Sequence, residues 1–171
     1  MSARGPAVGA AMVLVLLAAS PGRASHVTLQ CTAPAELTGF RVPLPNTARA
    51  IRQGRSLTIV AIGSSSTAGV GASDATHAYP AMLAEELRRR WPRLEVTVIN
   101  KGVSGETSSE ARARFERDVL PYQPQLVIWQ TGSIQTLRDG GADEYAAAVR
   151  EGIGRLKAAK MDVVLMDPQF A

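Results

Sequence analysis

Ile59-Val60-Ala61-Ile62-Gly63-Ser64-Ser65-Ser66-Thr67-Ala68-Gly69 is the stretch that decides the reading of this chain. A short run rich in Ile and Val and bounded by glycine predicts a buried strand. The run stops at Gly63 and passes into small hydroxylated residues and a second glycine. A strand that ends in a tight Gly-Ser turn holds a serine hydroxyl out at the edge of a sheet. Gly and Ser after a strand are also ordinary turn chemistry. The turn alone leaves catalysis and plain turn-making both open.

The rest of the chain reads as scaffold around that turn. Leu57 to Ile62 is the first predicted strand. Pro80 suits the first turn of a helix, Leu83, Leu87 and Trp91 form its apolar stripe, and Pro92 ends it. Leu94 to Asn100 alternates, which places a second strand at an edge with one wetter face. Thr107 to Glu110 fits a capping box, and Ala111, Phe115 and Val119 line the helix that runs on to Pro121. Leu126 to Trp129 is a third strand, buried on both faces. A longer helix begins near Asp143, with Tyr145, Val149, Ile153 and Leu156 on its core side. Val163 to Met166 is a fourth strand, apolar on both faces as a central strand is. Residues 26–54, with Pro34, Pro43 and Pro45, read as an irregular lead. The order β-α-β-α-β-α-β predicts an α/β fold with a three-layer, flavodoxin-like parallel sheet. In such sheets the site lies at the carboxyl ends of the strands, here Gly63, Asn100, Gln130 and Asp167.

The 171 residues are enough for one domain and one core. A net charge of +4, with arginines scattered over predicted helices, reads as solvated helix faces and does not argue for nucleic acid. Arg4, the apolar run Ala7 to Ala19, the Pro21-Gly22 break and the small residues Ala24-Ser25 predict a signal peptide over residues 1–25. That implies an exported protein, periplasmic or secreted, with no stable membrane span after cleavage. Cys31 is the one cysteine, either a free buried thiol or half of a bond whose partner is missing. Ala68-Gly69-Val70 lacks the Gly-Lys-Ser/Thr end of a Walker loop, and Gly69-Val70-Gly71 lacks the third glycine of a dinucleotide fingerprint.

A serine past strand one, a glycine past strand two and a small-residue turn past strand three form the layout of acyl transfer, a nucleophile flanked by oxyanion donors. Ile62 to Gly69 resembles the first block of the SGNH hydrolases, also called the GDSL esterase/lipase family. Asn100-Lys101-Gly102-Val103-Ser104-Gly105-Glu106-Thr107 resembles their second block, and Trp129-Gln130-Thr131-Gly132-Ser133 the start of their third. The resemblance implies a serine ester hydrolase with no metal or organic cofactor, acting on small-molecule, lipid or sugar esters. It implies Ser65 as nucleophile, with the Ser65 and Gly102 N–H groups as oxyanion donors.

Three positions depart from the pattern. Ser64 stands where the family often has Asp. Ile134 stands where a donor Asn is expected, and Gln135 lies one residue off. The family's base is a histidine in an Asp-x-x-His segment after a fifth strand. Asp167 ends strand four and is not that aspartate, and His77 lies in the loop after the serine block. The expectation is therefore a partial SGNH domain over residues 55–171, incomplete at its C-terminus and inactive as it stands for lack of the base. The alternative is a non-catalytic ligand-binding module or a decayed enzyme.

Overall fold

The structure, a computed structural model, describes residues 42–134 and 141–166. The expectations for residues 1–41, with Cys31 among them, and for Gln135 and Asp167 lie outside the described residues.

Among the described residues four strands form the sheet: β1 (Ser56–Gly63), β2 (Glu95–Gly102), β3 (Leu126–Gln130) and β4 (Asp162–Met166). All pairings are parallel and the order is β2-β1-β3-β4. The chain steps outward from β1 to β2, then crosses back to place β3 on the other side of β1. That reversal makes the carboxyl ends of β1 and β3 the switch point, where α/β sheets bind ligands. As expected, β2 lies at an edge of the four described strands.

The helices are α1 (Pro45–Gln53), α2 (Ser65–Ala68), α3 (Tyr79–Arg90), α4 (Ser108–Ala113), α5 (Phe115–Asp118) and α6 (Ala142–Ala158). Side chains alternate across β1 and β3, so each strand feeds two cores. Val60, Ile62, Val127 and Trp129 pack with Ala111, Phe115, Val149 and Leu156 under α4, α5 and α6. Leu57, Ile59, Leu126 and Ile128 pack on the opposite face with Ala50 of α1 and with Leu83, Leu87 and Trp91 of the α3 region. Two apolar faces covered by helices give the three layers that the strand-helix order predicts. The stripes of α3 and α6 and the capping box at Thr107 and Glu110 all form as expected.

Three local readings change. The lead is not irregular throughout, because Pro45 opens α1 from its first turn, where a missing N–H costs nothing. Asp162, at the start of β4, supplies the missing cap. Its carboxylate accepts from the Thr47 N–H (2.8 Å), the Thr47 hydroxyl (2.9 Å) and the Asn46 amide (3.0 Å). The helix expected from Thr107 to Pro121 is broken at Arg114, whose side chain is drawn into an ion cluster. Finally, β4 is less buried than its apolar sequence suggests. Leu165 is exposed and Val163, Val164 and Met166 are only partly covered, since β4 is the outer strand of the four described.

Trp129 fills the core beneath α6. Its ring meets Phe115 edge-on, with centroids 5.1 Å apart, and its indole N–H is buried without a partner. Room for it comes from Gly152, where an added Cβ falls 2.4 Å from the indole. Gly154, on the same helix, has nothing within 4 Å of that position. The two glycines should therefore respond with opposite signs. Gly154→Ala should stabilise the fold by about 0.5–1 kcal/mol through helix propensity. Gly152→Ala should destabilise it by about 1–3 kcal/mol through overpacking. Urea unfolding of both variants checks this, and shifts of the same sign would contradict the packing described.

Candidate active site

The ends of β1 and β3 are joined by one side chain. Gln130, the last residue of β3, is 2% exposed. Its Oε1 accepts from the Ser64 N–H (2.9 Å), the Ser64 hydroxyl (3.1 Å) and the Thr67 hydroxyl (3.3 Å). Its Nε2 donates to Ser133 Oγ (3.3 Å) in the loop after β3. Tyr79, opening α3, lies 3.3 Å from Thr67 Oγ1. Because Thr67 spends its proton on Gln130, the Tyr79 hydroxyl is the donor in that contact. Burial pushes the Tyr79 phenol up, with the Thr67 contact opposing, which keeps that proton in place at neutral pH. Ser64 thus belongs to the buried network, and its position calls for a small hydroxyl that reaches Gln130.

Ser65 stands just outside this network. It opens the single turn α2, which Gly69 closes in the left-handed region at φ +96°. The N–H groups of Gly69 and Val70 both bond Ser65 O at 3.0 Å. As the first residue of its turn, Ser65 keeps an N–H with no intrahelical acceptor. Ser65 is half-buried, and among the described residues no side chain hydrogen-bonds its hydroxyl. Gly63 makes the turn possible, since a Cβ there falls 2.5 Å from Thr67 Oγ1 and 2.7 Å from Gln130 O.

Gly102 does not do what the resemblance implies. Its N–H is bound to Asn100 Oδ1 at 2.9 Å. What the position requires is space, because a Cβ on Gly102 falls 2.0 Å from Ala68 N. Elsewhere in this loop, Val103 N–H bonds Gly63 O (2.8 Å), Glu106 N–H bonds Val103 O (3.2 Å) and Thr107 N–H bonds Glu110 Oε2 (2.7 Å). Ser104 and Gly105 carry the N–H groups not consumed by these bonds, and Gly105 has φ +78°.

Ile134 is half-buried in the helical turn that starts at Ser133 and offers no donor. An Asp-x-x-His spacing does occur, at Asp74 to His77, in the loop after α2 rather than after a fifth strand. His77 Nδ1 lies 3.0 Å from Asp74 Oδ2, with both side chains more than half exposed. Hydrogen bonds from Thr76, then from His77, hold the Asp74 carboxyl below the usual carboxylate range. No hydrogen bond joins His77 to Ser65. Among the described residues no group of three or more His, Cys, Asp or Glu side chains is placed to hold a metal ion.

The loop after β2 is pinned from below by a residue read in the sequence only as a solvated charge. Arg114 is buried. It grips Glu106 with two parallel bonds at 2.5 Å, reaches Lys101 O at 2.6 Å and pairs with Asp118 at 2.9 Å. Bidentate charge-assisted pairs are strong and fix geometry. Arg117 and Lys101 complete the neutralisation of Asp118. The Arg117 hydrogen bond is the main cause holding the Asp118 carboxyl far below its ordinary range, against partial burial.

A strand-end serine on a 2-1-3-4 parallel sheet, followed by the second and third blocks in order, places the chain in the SGNH class. More particularly, it belongs to the Non-GDSL lipase-like family, whose profile matches residues 30–171. An acetylxylan esterase of Geobacillus stearothermophilus is 28% identical over 102 residues, covering 54% of this chain and 47% of that protein. The thioesterase 1/protease 1/lysophospholipase L1 of Escherichia coli is 29% identical over 109 residues, covering 64% of this chain and 50% of its own. The crystal structure of an acetylxylan esterase from Geobacillus stearothermophilus superposes with a TM-score of 0.58 at 27% identity, covering 64% of this chain and 58% of that one. This chain thus spans about half the length of these curated relatives.

The Asp118 cluster has a pH signature. Its folded pKa is depressed, so its contribution is complete above about 4, the unfolded value, and is lost as pH falls below that. Asp118→Asn should cost about 2 kcal/mol at pH 7, within the range for hydrogen bonds to charged groups. That deficit should shrink steadily below pH 4. Denaturant titrations across that range measure it, and a deficit independent of pH would contradict the cluster.

Proposed function

We propose that this domain supplies the nucleophile and oxyanion site of a serine ester hydrolase. Ser65 Oγ attacks the carbonyl carbon of a carboxylic ester, forming an acyl-enzyme as the alcohol leaves. The Ser65 N–H is one oxyanion donor, and the loop after β2 offers a second at Ser104 or Gly105. The observation that carries this reading is Ser65 itself, held half-exposed on a turn fixed by Gly63, Thr67 and Gln130, with its first-turn N–H uncommitted. The esterase and thioesterase names of the relatives support an acyl or acetyl ester as substrate. An exported location, as the sequence of residues 1–25 suggests, suits a sugar or lipid ester outside the cytoplasm.

The reaction requires a base to take the serine proton. The 171 residues contain two histidines, His26 and His77, and neither occupies the family's Asp-x-x-His place after a fifth strand. Turnover by this chain alone is therefore expected to be slow. A second reading, a binding module that keeps the crevice without the chemistry, is favoured by Ile134 at the position of the donor Asn.

An alkyl fluorophosphonate with imidazole added as the missing base separates the two, since it modifies a competent serine once without turnover. The hydrolase reading expects covalent modification that maps to Ser65 and vanishes in Ser65→Ala. Modification of other serines alone, or none at saturating reagent, would favour the binding module.

A further inference from the structure

We propose that the Ser133 hydroxyl donates the oxyanion hydrogen bond that Ile134 is unable to give, which makes Ser133 a catalytic residue of the Ser65 site. The inference rests on the reading of Ser65 as nucleophile.

The orientation of one buried amide is fixed by its neighbours. The Ser64 backbone N–H can only donate, so the Gln130 atom 2.9 Å from it is the oxygen. The other end of the same amide is then the nitrogen, and it faces Ser133 Oγ at 3.3 Å. An amide nitrogen donates and does not accept, so Ser133 Oγ is the acceptor in that contact. A hydroxyl that accepts at its oxygen still has its own proton to give. Gln130 thus holds the Ser133 oxygen in place while leaving its O–H to point elsewhere. Accepting a bond also polarises the hydroxyl and strengthens it as a donor.

Position supports the same role. Ser133 follows Gly132, which bends the chain just past β3 at φ +101°. One amide bridges Ser133 to Ser64, the residue next to the nucleophile. Ser133 and the nucleophile therefore stand on the two loops, after β3 and after β1, that the Gln130 amide ties together. Ser133 is half-buried, as a donor to a substrate oxygen has to be. Its neighbour Ile134 carries only hydrocarbon, so the third loop has no other side-chain donor at these two positions.

In the reaction the Ser65 Oγ–C bond forms as the carbonyl π pair moves onto oxygen. Ser133 hydrogen-bonds that oxyanion and keeps its proton, while the Ser65 proton passes to an imidazole or solvent base. With an alkyl fluorophosphonate, the Ser65 Oγ–P bond forms as P–F breaks, fluoride leaves, and the proton goes to buffer. The phosphoryl oxygen then takes the oxyanion's place.

The test compares second-order rates of Ser65 modification, with imidazole added as the base, in the full chain and in four variants. Ser133→Ala should slow modification about 100-fold, the lower side of what an oxyanion donor is worth. Ser133→Thr keeps the hydroxyl and should stay within a few-fold of the parent. Ile134→Asn should accelerate the Ser133→Ala background far more than the parent, because one donor is then replacing the other. A structural role for Ser133, as partner of Gln130 Nε2, also slows Ser133→Ala, but Ile134→Asn does not then rescue that background. Equal rates for the parent and Ser133→Ala would overturn the proposal. So would equal gains from Ile134→Asn in both backgrounds, or loss of rate in Ser133→Thr as severe as in Ser133→Ala. Absence of Ser65 modification in the parent is a different failure, which removes the hydrolase reading and this inference with it.

Discussion

The crevice depends on a carboxamide buried at the end of a strand. Gln130 terminates five residues that are otherwise apolar and fully covered. Burying an amide without partners costs on the order of 1–3 kcal/mol, so its oxygen and nitrogen both have to be satisfied. They are satisfied by residues from two different loops. The penalty for leaving Gln130 unpaired is what drives the turn after β1 and the loop after β3 into one arrangement. The glycines then follow from close approach: Gly63 admits Thr67 and Gln130, and Gly102 admits the backbone of α2.

A second constraint acts from the opposite side of the β2 loop. Arg114 has five N–H donors and is buried, so it too has to be paired. Glu106, Asp118 and Lys101 O take up that demand, and the cost is a break between α4 and α5. The loop from Lys101 to Thr107 is therefore stretched between Gly63, to which Val103 bonds, and Arg114 below. Backbone donors held this way are preorganised, which is what stabilising an oxyanion requires. Two buried polar residues, each with a desolvation penalty to satisfy, thus fix the three loops that meet around Ser65.

Much of the fold was legible because apolar periodicity reports burial directly. The four strands, the stripes of α3 and α6 and the capping box at Thr107 all follow from pattern. What pattern does not report is where a polar side chain points. Gln130 reads as the start of a small-residue turn, yet it is the hub of the site. Arg114 reads as one of many solvated arginines, yet it is buried. Gly102 reads as an oxyanion donor, yet spacing shows only a glycine past a strand and not that Asn100 captures its N–H. Pro45 reads as part of an irregular lead because prolines often break helices, although proline in a first turn helps to start one. The cap that makes α1 viable comes from Asp162, 115 residues from Thr47 in sequence, and no local pattern encodes it.

The most direct test of this account is amide hydrogen exchange at Ser64. Its N–H is donated to a buried side chain rather than to the sheet, so its protection should depend on Gln130. The account predicts slow exchange at Ser64 in the parent protein, and its collapse in Gln130→Leu while amides in the middle of β1 stay protected. Fast exchange at Ser64 in the parent, or protection that survives the substitution, would contradict it.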